Sequence, residues 1–483
     1  MASLREKTVS GFLWNFIELI SSQIINFIGT WFLARYFLSP EDYGLIGYTV
    51  IFTSLAQVFI DSGFSQALIR KQDCSEADYN TVFYVNILLG VFLYGLLFLF
   101  APVIANYYQE PSLVKIIRVI AVILPLNALI LVHRTILIKQ LDFKRHAIIG
   151  ITGAFCGFAV AVAMAFNGFT VWSLVGKSVV TYGVLMLLFW IFGVWHPKRM
   201  FSIESVKTLL GFGSKLLLIY TMATLFKSIY NSVIGKNYGK QEFGFYTNAD
   251  TISSVPAAVI TALINKVAYS ALSGFQTNTP QLKEHLRTLM RPILLVSFTG
   301  LLTLTVVGEP FLILMLTDKW AGTVFFFQVL CVAYMAHILH AENQIVMTIL
   351  GRSDYFLWTE IIKYLLFIPV IFIGLSCGIR VLVIAYAVHC WVGFLLNAMF
   401  TKRLIDYGLK EQLLDLLVPM GIALAVAAAT VFAGWLMQDA SLWMLLIVQL
   451  LVAAVMAILI TRIAKVRAYR ELKSLIVSFV KRK

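Results

Sequence analysis

The chain is long, apolar and basic, and this combination excludes a soluble globular protein. It has 483 residues, of which 60% are hydrophobic and only 13% charged, with a mean hydropathy of +0.87, whereas soluble domains are roughly a quarter charged. The formal net charge of +14 does not indicate nucleic-acid binding, because membrane proteins retain lysine and arginine on their cytoplasmic side. The five cysteines occur singly, so we predict no disulfide framework, metal site or cofactor.

Apolar segments long enough to cross a bilayer recur from one end of the chain to the other. The first, within residues 1–37, has the positive charges of a signal peptide, but its apolar part is too long and no small-residue cleavage site follows it. Breaks at proline, glycine and charge clusters then separate about fourteen predicted spans. We therefore predict an all-α polytopic membrane protein with about fourteen transmembrane helices.

The basic residues orient these helices. With a cytoplasmic N-terminus, most lysines and arginines of the connecting segments fall on the cytoplasmic side, among them Arg70, Lys71, Lys139, Lys144, Arg145, Lys198, Arg199, Lys207, Arg352, Lys402, Arg403 and Lys410. Such an asymmetry favours an even number of spans and places both termini in the cytoplasm. The basic tail from residue 462 to 483 has the pattern of an amphipathic helix that rests on anionic headgroups.

Two pairs of segments indicate an internal repeat. EKTVSGF (6–12) matches VKTLLGF (206–212), and PEDYGLIGY (40–48) lies opposite KQEFGFYTN (240–248), both with an offset of 200 residues. The two halves are six spans apart, so they enter the membrane in the same direction. This predicts a parallel repeat, in which two bundles related by an axis along the membrane normal enclose a central site.

The repeat also predicts the domain organisation. We expect an N-terminal six-helix bundle over residues 1–200, a second six-helix bundle over residues 201–408, two extra transmembrane helices over residues 409–461 and the basic cytoplasmic tail, 462–483.

Several segments together resemble a known family. These are YFLSPEDYGLIGY, FIDSGFSQALIRK, RTILIKQLDFKR, SVKTLLGFGSKLL and GEPFLILMLTDKW. The pattern is similar to that of the bacterial polysaccharide transporters, in the multidrug, oligosaccharidyl-lipid and polysaccharide exporter superfamily. That superfamily includes the lipid-linked oligosaccharide flippases of the O-antigen and exopolysaccharide types.

The resemblance implies a function and a location. It implies a multi-pass protein of the bacterial inner membrane that moves a polyprenyl diphosphate carrying an oligosaccharide from the cytoplasmic to the outer leaflet by alternating access. Membrane lipid, a polysaccharide polymerase and the export machinery are the implied partners. A diphosphate cannot enter hydrocarbon unaided, since an unpaired ion costs on the order of tens of kcal/mol in a dry low-dielectric medium, so the route must be polar inside.

Acidic and amide side chains within the first two helices are candidates for ion coupling or gating. Asn15, Glu18 and Asn26 share one face of the first helix, and Asp61 ends the second. For the asparagines the alternative is interhelical hydrogen bonding, and for Asp61 it is a helix break that caps the next segment. Otherwise Glu18 and Asp61 line the cytoplasmic mouth of the first bundle, where they hold a coupling proton or sodium ion or pair with a basic group on another helix.

Basic side chains are candidates for contacts with the diphosphate. Lys227 is the first choice, since it lies twelve residues beyond Lys215, or roughly 18 Å along a helix at about 1.5 Å per residue, and cannot easily reach the same headgroups. Arg118 is the second, because a guanidinium binds phosphate bidentately. Arg134 and Lys215 either bind substrate or snorkel to headgroups. Tyr220 and Asn231 lie on turns next to Lys227.

Two other functions share some of these features. An ion-coupled exporter of small cationic drugs should have an acidic cavity, whereas the charged residues predicted to lie well inside the spans are mostly basic. A membrane glycan polymerase or ligase would be an enzyme, but the inferred outer loops are short and contain no nucleophile, metal or phosphate-loop motif. We therefore predict a transporter rather than an enzyme. Glu360 with Lys363, and His337, His340 and His389, are predicted to be structural.

Overall fold

The protein is an all-α, multi-pass membrane protein. The structure is a computed structural model and describes residues 4–61, 64–71, 73–193, 195–268 and 272–463. The described residues are 89% helical, and they contain no strand. Within them, 12 helical segments are long and apolar enough to cross a membrane, and a further element, α9, merges two helices across a kink. The predicted count of fourteen is consistent with this total.

Contacts divide the chain into two units, residues 1–244 (unit 1) and residues 245–483 (unit 2). Unit 1 contains eight helices and the first part of a ninth. Their bounds are α1 Leu4–Tyr36, α2 Pro40–Asp61, α3 Phe64–Arg70, α4 Glu76–Tyr108, α5 Leu113–Ile120, α6 Ile123–Lys139, α7 Phe143–Phe166, α8 Thr170–Ile191 and α9 Ile203–Leu263. The short helices α5 and α6 together make one span, Leu113–Lys139.

Unit 2 contains the rest of α9 and six long helices. A π-helical turn, Ile264–Ala268, follows α9, and short 3-10 turns occur at Ser273–Phe275 and Asp318–Trp320. The long helices are α10 Thr279–Leu316, α11 Thr323–Ile349, α12 Ser353–Cys377, α13 Ile379–Ile405, α14 Leu409–Leu436 and α15 Leu442–Ile463.

The division into units does not coincide with the predicted repeat. The repeat begins its second half at residue 201, whereas contacts keep α9 with unit 1 as far as Gly244. Internal similarity and packing are different properties of a chain, so contacts do not test the repeat. The bundles 1–200 and 201–408, the helix pair 409–461 and the tail 462–483 stay predictions, and the tail beyond Ile463 lies outside the described residues.

Side-chain caps set the ends of several unit 1 helices. The Ser75 hydroxyl accepts from the Asp78 amide at 3.2 Å, and the Asp78 carboxylate accepts from the Ser75 amide at 2.8 Å. This reciprocal capping box satisfies amide groups that have no partner in the first turn of α4. At α7, Asp142 caps the helix by accepting from the amide of Arg145 at 3.2 Å. Sequence signals of this kind fix the residues at which α4 and α7 begin.

The bend inside α9 depends on a glycine. Gly239 has φ 79° and ψ 170°, a backbone conformation that side-chain-bearing residues rarely adopt. The two halves of α9 can therefore change direction at one residue without a loop between them.

Two further glycines, Gly44 and Gly244, allow the start of α2 to cross closely over the segment that follows this bend. A methyl group added to Gly44 would overlap the carbonyl oxygen of Lys240, and one added to Gly244 would overlap that of Pro40. Lys240 lies 200 residues after Pro40, and Gly244 lies 200 residues after Gly44. Each segment thus approaches the other through a glycine, and the two glycines are separated by the same offset of 200 residues as the predicted repeat.

The last two helices pack on α10 in unit 2. Leu295 of α10, Val426 of α14 and Ala453 of α15 belong to one buried cluster. Membrane helices associate through close packing and hydrogen bonds rather than through exclusion of water. This cluster therefore gives α14 and α15 a fixed position within unit 2.

Candidate functional site

An ion pair joins two helices inside unit 1. Arg134 Nη2 of α6 lies 2.9 Å from Asp61 Oδ1, at the end of α2. The same oxygen accepts a hydrogen bond of 3.2 Å from Asn127 Nδ2, and Asn127 and Arg134 share a face of α6 because they are seven residues apart. The Asp61 side chain is 36% exposed and the Arg134 side chain is 31% exposed. The pair is therefore accessible although both helices are membrane spans.

A polar contact to a third helix extends this cluster. Gln57 lies one turn before Asp61 on α2, and its Nε2 donates to the hydroxyl of Tyr182 on α8 at 3.1 Å. We call Gln57, Asp61, Asn127, Arg134 and Tyr182 the unit 1 polar cluster. Polar groups within spans are expensive to bury and usually face a partner or a cavity. Three helices contribute here, so the cluster can respond to any movement of α2 against α6 or α8.

The second carboxylate forms a separate pair. Glu18 Oε2 of α1 lies 2.8 Å from His146 Nδ1 of α7. Gly150 makes room for it, because a methyl group added there would lie 2.7 Å from Glu18 Oε1. Glu18 and Asp61 each contact a basic residue on another helix, which is one of the two alternatives stated from the sequence. The other two candidates on α1 are asparagines. Asn26 is exposed, and the Asn15 side chain lies outside the described residues.

The candidates on α9 share one face of that helix. Tyr220, Lys227 and Asn231 follow spacings of seven and four residues. Tyr220 and Lys227 are exposed, while Asn231 is half-buried, and the Oδ1 atom of Asn231 is buried without a hydrogen-bond partner in the described part of the chain. The side chain of Lys215 is not among those described.

An adjacent face of α9 packs against two other helices of unit 1. The Ser228 hydroxyl donates to the Ile51 carbonyl at 3.1 Å, and the Tyr48 hydroxyl donates to the Gly235 carbonyl at 3.0 Å. The hydroxyls of Ser232 and Tyr108 share a hydrogen bond of 2.7 Å. This face of α9 contacts α2 and α4. The neighbouring face, which carries the candidate residues, therefore has a fixed orientation relative to those two helices.

Arg118 contacts α4 within its own unit. Its Nε donates to the Phe98 carbonyl at 3.3 Å, and its guanidinium lies 4.3 Å from the centre of the Phe98 ring. A cation over an aromatic face is stabilised by the ring quadrupole. The contact leaves the terminal guanidinium nitrogens of Arg118 as the groups that can meet an anion.

Unit 2 contains polar contacts of a different kind. Tyr334 of α11 donates to Asp250 of α9 at 2.5 Å. Lys363 pairs with Glu360 one turn away on α12, as their spacing predicts, and His340 Nε2 lies 2.8 Å from the Cys390 carbonyl. No group of three or more potential metal ligands occurs in the ranges that the structure describes.

Near the start of α14, a largely buried carboxylate binds two arginines of α10. Asp415 accepts from Arg287 at 2.6 and 3.0 Å and from Arg291 at 2.8 and 3.2 Å. The Tyr407 hydroxyl adds a hydrogen bond of 3.0 Å. Burial, together with the carboxylates of Glu342 and Asp415, raises the pKa of Tyr407, so its neutral hydroxyl is the donor.

Sequence reasoning missed four residues around the candidates: Asn127 and His146 bind Asp61 and Glu18, and Gln57 and Tyr182 bind each other next to the Asp61–Arg134 pair. Gln57 and Asn127 have a signal, since they stand at helical spacings from Asp61 and Arg134. His146 and Tyr182 have none, because their partners are on helices that are distant in sequence. His146 follows Lys144 and Arg145, so it resembles part of a solvated helix end.

Comparisons with known proteins agree with this fold. The chain belongs to the family described as polysaccharide biosynthesis protein, whose pattern matches residues 32–325. It is 25% identical to the teichuronic acid biosynthesis protein TuaB of Bacillus subtilis over 430 residues, which cover 88% of this chain and 89% of TuaB. It is also 25% identical to the lipopolysaccharide biosynthesis protein WzxC of Escherichia coli over 451 residues, 89% of this chain and 88% of WzxC. The family predicted from the sequence motifs is therefore confirmed.

A solved structure shares the fold along nearly the whole chain. The lipid II flippase MurJ, in an inward closed conformation, superimposes with a TM-score of 0.75 at 15% identity, covering 95% of this chain and 100% of MurJ. An inward-facing multidrug resistance transporter of the MATE family superimposes with a TM-score of 0.60 at 16% identity, covering 82% and 94%. At such identities the likeness concerns the fold alone.

Proposed function

We propose that this protein moves a polyprenyl-diphosphate-linked oligosaccharide from the cytoplasmic to the outer leaflet of the bacterial inner membrane, for cell-surface polysaccharide synthesis. Membership of the polysaccharide biosynthesis family over residues 32–325 is the observation that carries the proposal. The names of TuaB and WzxC assign those relatives to teichuronic acid biosynthesis and to lipopolysaccharide biosynthesis. MurJ, which shares the fold, is named as a flippase of a lipid-linked substrate.

The transport mechanism we propose is alternating access without covalent chemistry, so the protein is a transporter and not an enzyme. In repeat-built transporters, two bundles rock about a central binding site. The ligand can shift their equilibrium only by its differential affinity for the two states. Phosphate contacts that form in one state and are replaced in the other supply this difference.

The basic candidates give the diphosphate its contacts in this proposal. Lys227 binds one phosphate as a point charge, with Tyr220 and Asn231 on the same helix face to accept or donate hydrogen bonds. Arg118 binds the other phosphate bidentately. Lys215 lies on the same helix, nearer the cytoplasmic side, and attracts the substrate as it enters.

Arg134 has a second role because it is already paired. Its partner Asp61 is 36% exposed, and a phosphate that approaches from the cytoplasmic side can take the place of that carboxylate on the guanidinium. Protonation of Asp61, or a sodium ion bound to it, releases Arg134 in the same way. The unit 1 polar cluster would then couple an ion to substrate entry, with Glu18, Asn15 and Asn26 along the neighbouring helix.

Variants of Lys227 test the proposed function. Proteoliposomes with defined polyprenyl diphosphate oligosaccharides should show flipping that Lys227→Ala reduces at least about 10-fold, since a hydrogen bond to a charged group contributes about 1.5–3 kcal/mol. Lys227→Arg should recover part of the activity and Lys227→Met none. Lys207→Ala, on an exposed turn of the same helix, is the matched control. Normal transport by Lys227→Met would remove the phosphate contact from the proposal.

The same assay separates flipping from drug export. A lipid-linked oligosaccharide should move and small cationic drugs should not, with or without an imposed proton or sodium gradient. Drug transport without oligosaccharide transport would replace the proposed function by the alternative one.

The proposed orientation has its own measurement. Reporter fusions after Lys139 and Lys410 should report cytoplasm, and fusions near Asn167 and Gln438 should report the external side, because the basic clusters remain cytoplasmic. A reversed report at any of these positions would contradict the proposed orientation with both termini in the cytoplasm.

A further inference from the structure

A groove of about 900 Å³ opens in unit 2 where α13 turns into α14. Its volume is within the range of ligand-binding clefts in proteins. One side of this α13–α14 groove is apolar and the other is basic, and the residues that define it are Ile362, Leu396, Met399, Lys402, Arg403 and Lys410. None of them belongs to the residues proposed above for substrate or ion contacts.

A tight turn brings the three cations together. Asp406 ends α13 in a left-handed conformation with φ 52°, and α14 begins at Leu409. Lys402 and Arg403 occupy the last turn of α13, and Lys410 lies in the first turn of α14. The Lys402 stem lies against Gly408, where an added methyl group would be 3.0 Å from its Cδ. The short connection thus holds charges from two helices at one end of the groove.

Nearby acids do not neutralise this end. Asp406 and Glu411 also line the groove, but the Glu411 carboxylate pairs with Lys283 at 2.6 Å. Arg403 lies 5.8 Å from the centre of the Phe400 ring. In the described part of the chain, Lys402, Arg403 and Lys410 make no ion pair, so three cations face one remaining carboxylate.

The apolar side continues into the membrane-spanning parts of α12 and α13. Leu396 and Met399 precede the cations by one to two turns of α13, and Ile362 lies on α12. Met399 is 58% exposed. The groove therefore presents charge at its end and hydrocarbon along its length, which is the polarity of a phospholipid.

We propose that the α13–α14 groove binds an anionic phospholipid. Arg403, Lys402 and Lys410 hold the phosphodiester, and an acyl chain lies along Leu396 and Met399. Basic pockets between helices at the cytoplasmic side of membrane proteins recognise anionic headgroups, and Arg403 offers two parallel donors to phosphate. A zwitterionic lipid brings a cation of its own into the basic end, so it binds more weakly. The proposal does not depend on which substrate is transported.

Lipid binding to the purified full-length protein tests whether the basic end of the groove prefers an anionic headgroup. Native mass spectrometry, with phosphatidylglycerol or phosphatidylethanolamine added in detergent, should show one phosphatidylglycerol bound in preference to phosphatidylethanolamine. Arg403→Gln/Lys410→Gln should weaken this binding about 25-fold, at about fivefold for each charge removed near the surface. The matched control, Arg199→Gln/Lys207→Gln, removes two exposed charges predicted to face the same side and should bind as the parent does.

A second pair of variants tests the apolar wall with all charges kept. Met399→Trp fills the groove and should weaken phosphatidylglycerol binding. Val388→Trp is its control, since Val388 lies on the same helix face three turns away and is 57% exposed. It should leave binding unchanged.

Four results would overturn the proposal. The first is equal binding of the two phospholipids by the parent, and the second is unchanged phosphatidylglycerol binding by Arg403→Gln/Lys410→Gln. The third is an equal loss of phosphatidylglycerol binding in the control variant Arg199→Gln/Lys207→Gln. The fourth is competition by inorganic phosphate as strong as that by the lipid, which would mean a site for any anion. Displacement by polyprenyl diphosphate alone would assign the groove to the transport substrate. Flipping activity is not the readout, so failure of this proposal is distinguishable from failure of the proposed function.

Discussion

The two units hold their charged groups in different ways. Asp61 in unit 1 is 36% exposed and accepts two hydrogen bonds from described residues. Asp415 in unit 2 is 9% exposed and accepts five, from two arginines and a tyrosine. An ion pair that is taken out of water needs such additional hydrogen bonds to offset its desolvation. An accessible pair does not, since water can take the place of either partner.

This difference separates a structural site from an exchangeable one. Removing a partner from the Asp415 network leaves charges that are partly buried and unsatisfied, so the network stabilises unit 2 in one arrangement. The Asp61–Arg134 pair can open at little cost, so a substrate phosphate or an ion can compete for it. The comparison supports the proposal that ion coupling lies in unit 1, whereas the Asp415 network stabilises unit 2. Mutations test both roles.

The largest expected loss of stability is that of Asp415→Ala. Both arginines and the Tyr407 hydroxyl lose their shared acceptor, and we expect the free energy of unfolding to fall by about 3 kcal/mol. Thermal unfolding of the purified protein in detergent measures this. Asp354→Ala is the control, because the Asp354 pair with Arg352 is exposed, and it should leave the unfolding temperature unchanged. Equal effects in the two variants would contradict a structural role for the Asp415 network.

Gly44→Ala should destabilise the protein by about 1–3 kcal/mol, the usual cost of overpacking. The added methyl group meets the Lys240 carbonyl oxygen, which is backbone and cannot move to another rotamer. Gly244→Ala should do the same at the equivalent position.

Gly95→Ala and Gly183→Ala are controls for this pair. A methyl group at either position has nothing within 4 Å, and alanine favours a helix over glycine by about 1 kcal/mol. These variants should unfold at the same or a higher temperature. If Gly44→Ala behaved like the controls, the close crossing of α2 and α9 would be wrong.

The sequence predicts the helices well and their contacts poorly, and the candidate residues show why. Hydropathy identifies most of the spans, because each must cover the bilayer by itself, and breaks at proline, glycine and charged residues separate the others. Asp61 and Arg134 are each recognisable as polar residues in apolar surroundings, yet the sequence does not pair them, since that requires the register of α2 against α6. Gly44 and Gly244 emerge as matching positions of a repeat, but their mutual approach depends on the bend at Gly239.

Neutral variants of the Asp61–Arg134 pair should affect transport more than stability. For Asp61→Asn and Arg134→Gln we expect a change of about 0–1 kcal/mol in unfolding free energy, as for accessible ion pairs. Flipping should fall about 10-fold in each, because a hydrogen bond to a charged group is lost at substrate entry. Transport in proteoliposomes and unfolding in detergent are measured on the same preparations.

The exchanged pair, Asp61→Arg with Arg134→Asp, distinguishes a contact that fastens α2 to α6 from one that meets the substrate. If the pair only joins the helices, the exchange restores both stability and transport. If Arg134 has to receive a phosphate, the exchange restores stability and leaves flipping low. Recovery of full transport by the exchanged pair would remove Arg134 from the substrate contacts.

The smallest expected effect on stability is at the Glu18–His146 contact. Gly150→Ala places a methyl group 2.7 Å from Glu18 Oε1, so the carboxylate has to move away from His146. The carboxylate end of a side chain can shift, and alanine favours the helix by about 1 kcal/mol, so the unfolding temperature should be unchanged or slightly higher. Transport driven by an ion gradient should nevertheless fall by the same factor as in Glu18→Gln if the contact takes part in coupling. Gly183→Ala, a substitution of the same kind with no neighbour to displace, should transport as the parent does. If Gly150→Ala and Glu18→Gln both retained gradient-driven flipping, α1 would have no part in the proposed coupling, and the proposal would then rest on the unit 1 polar cluster.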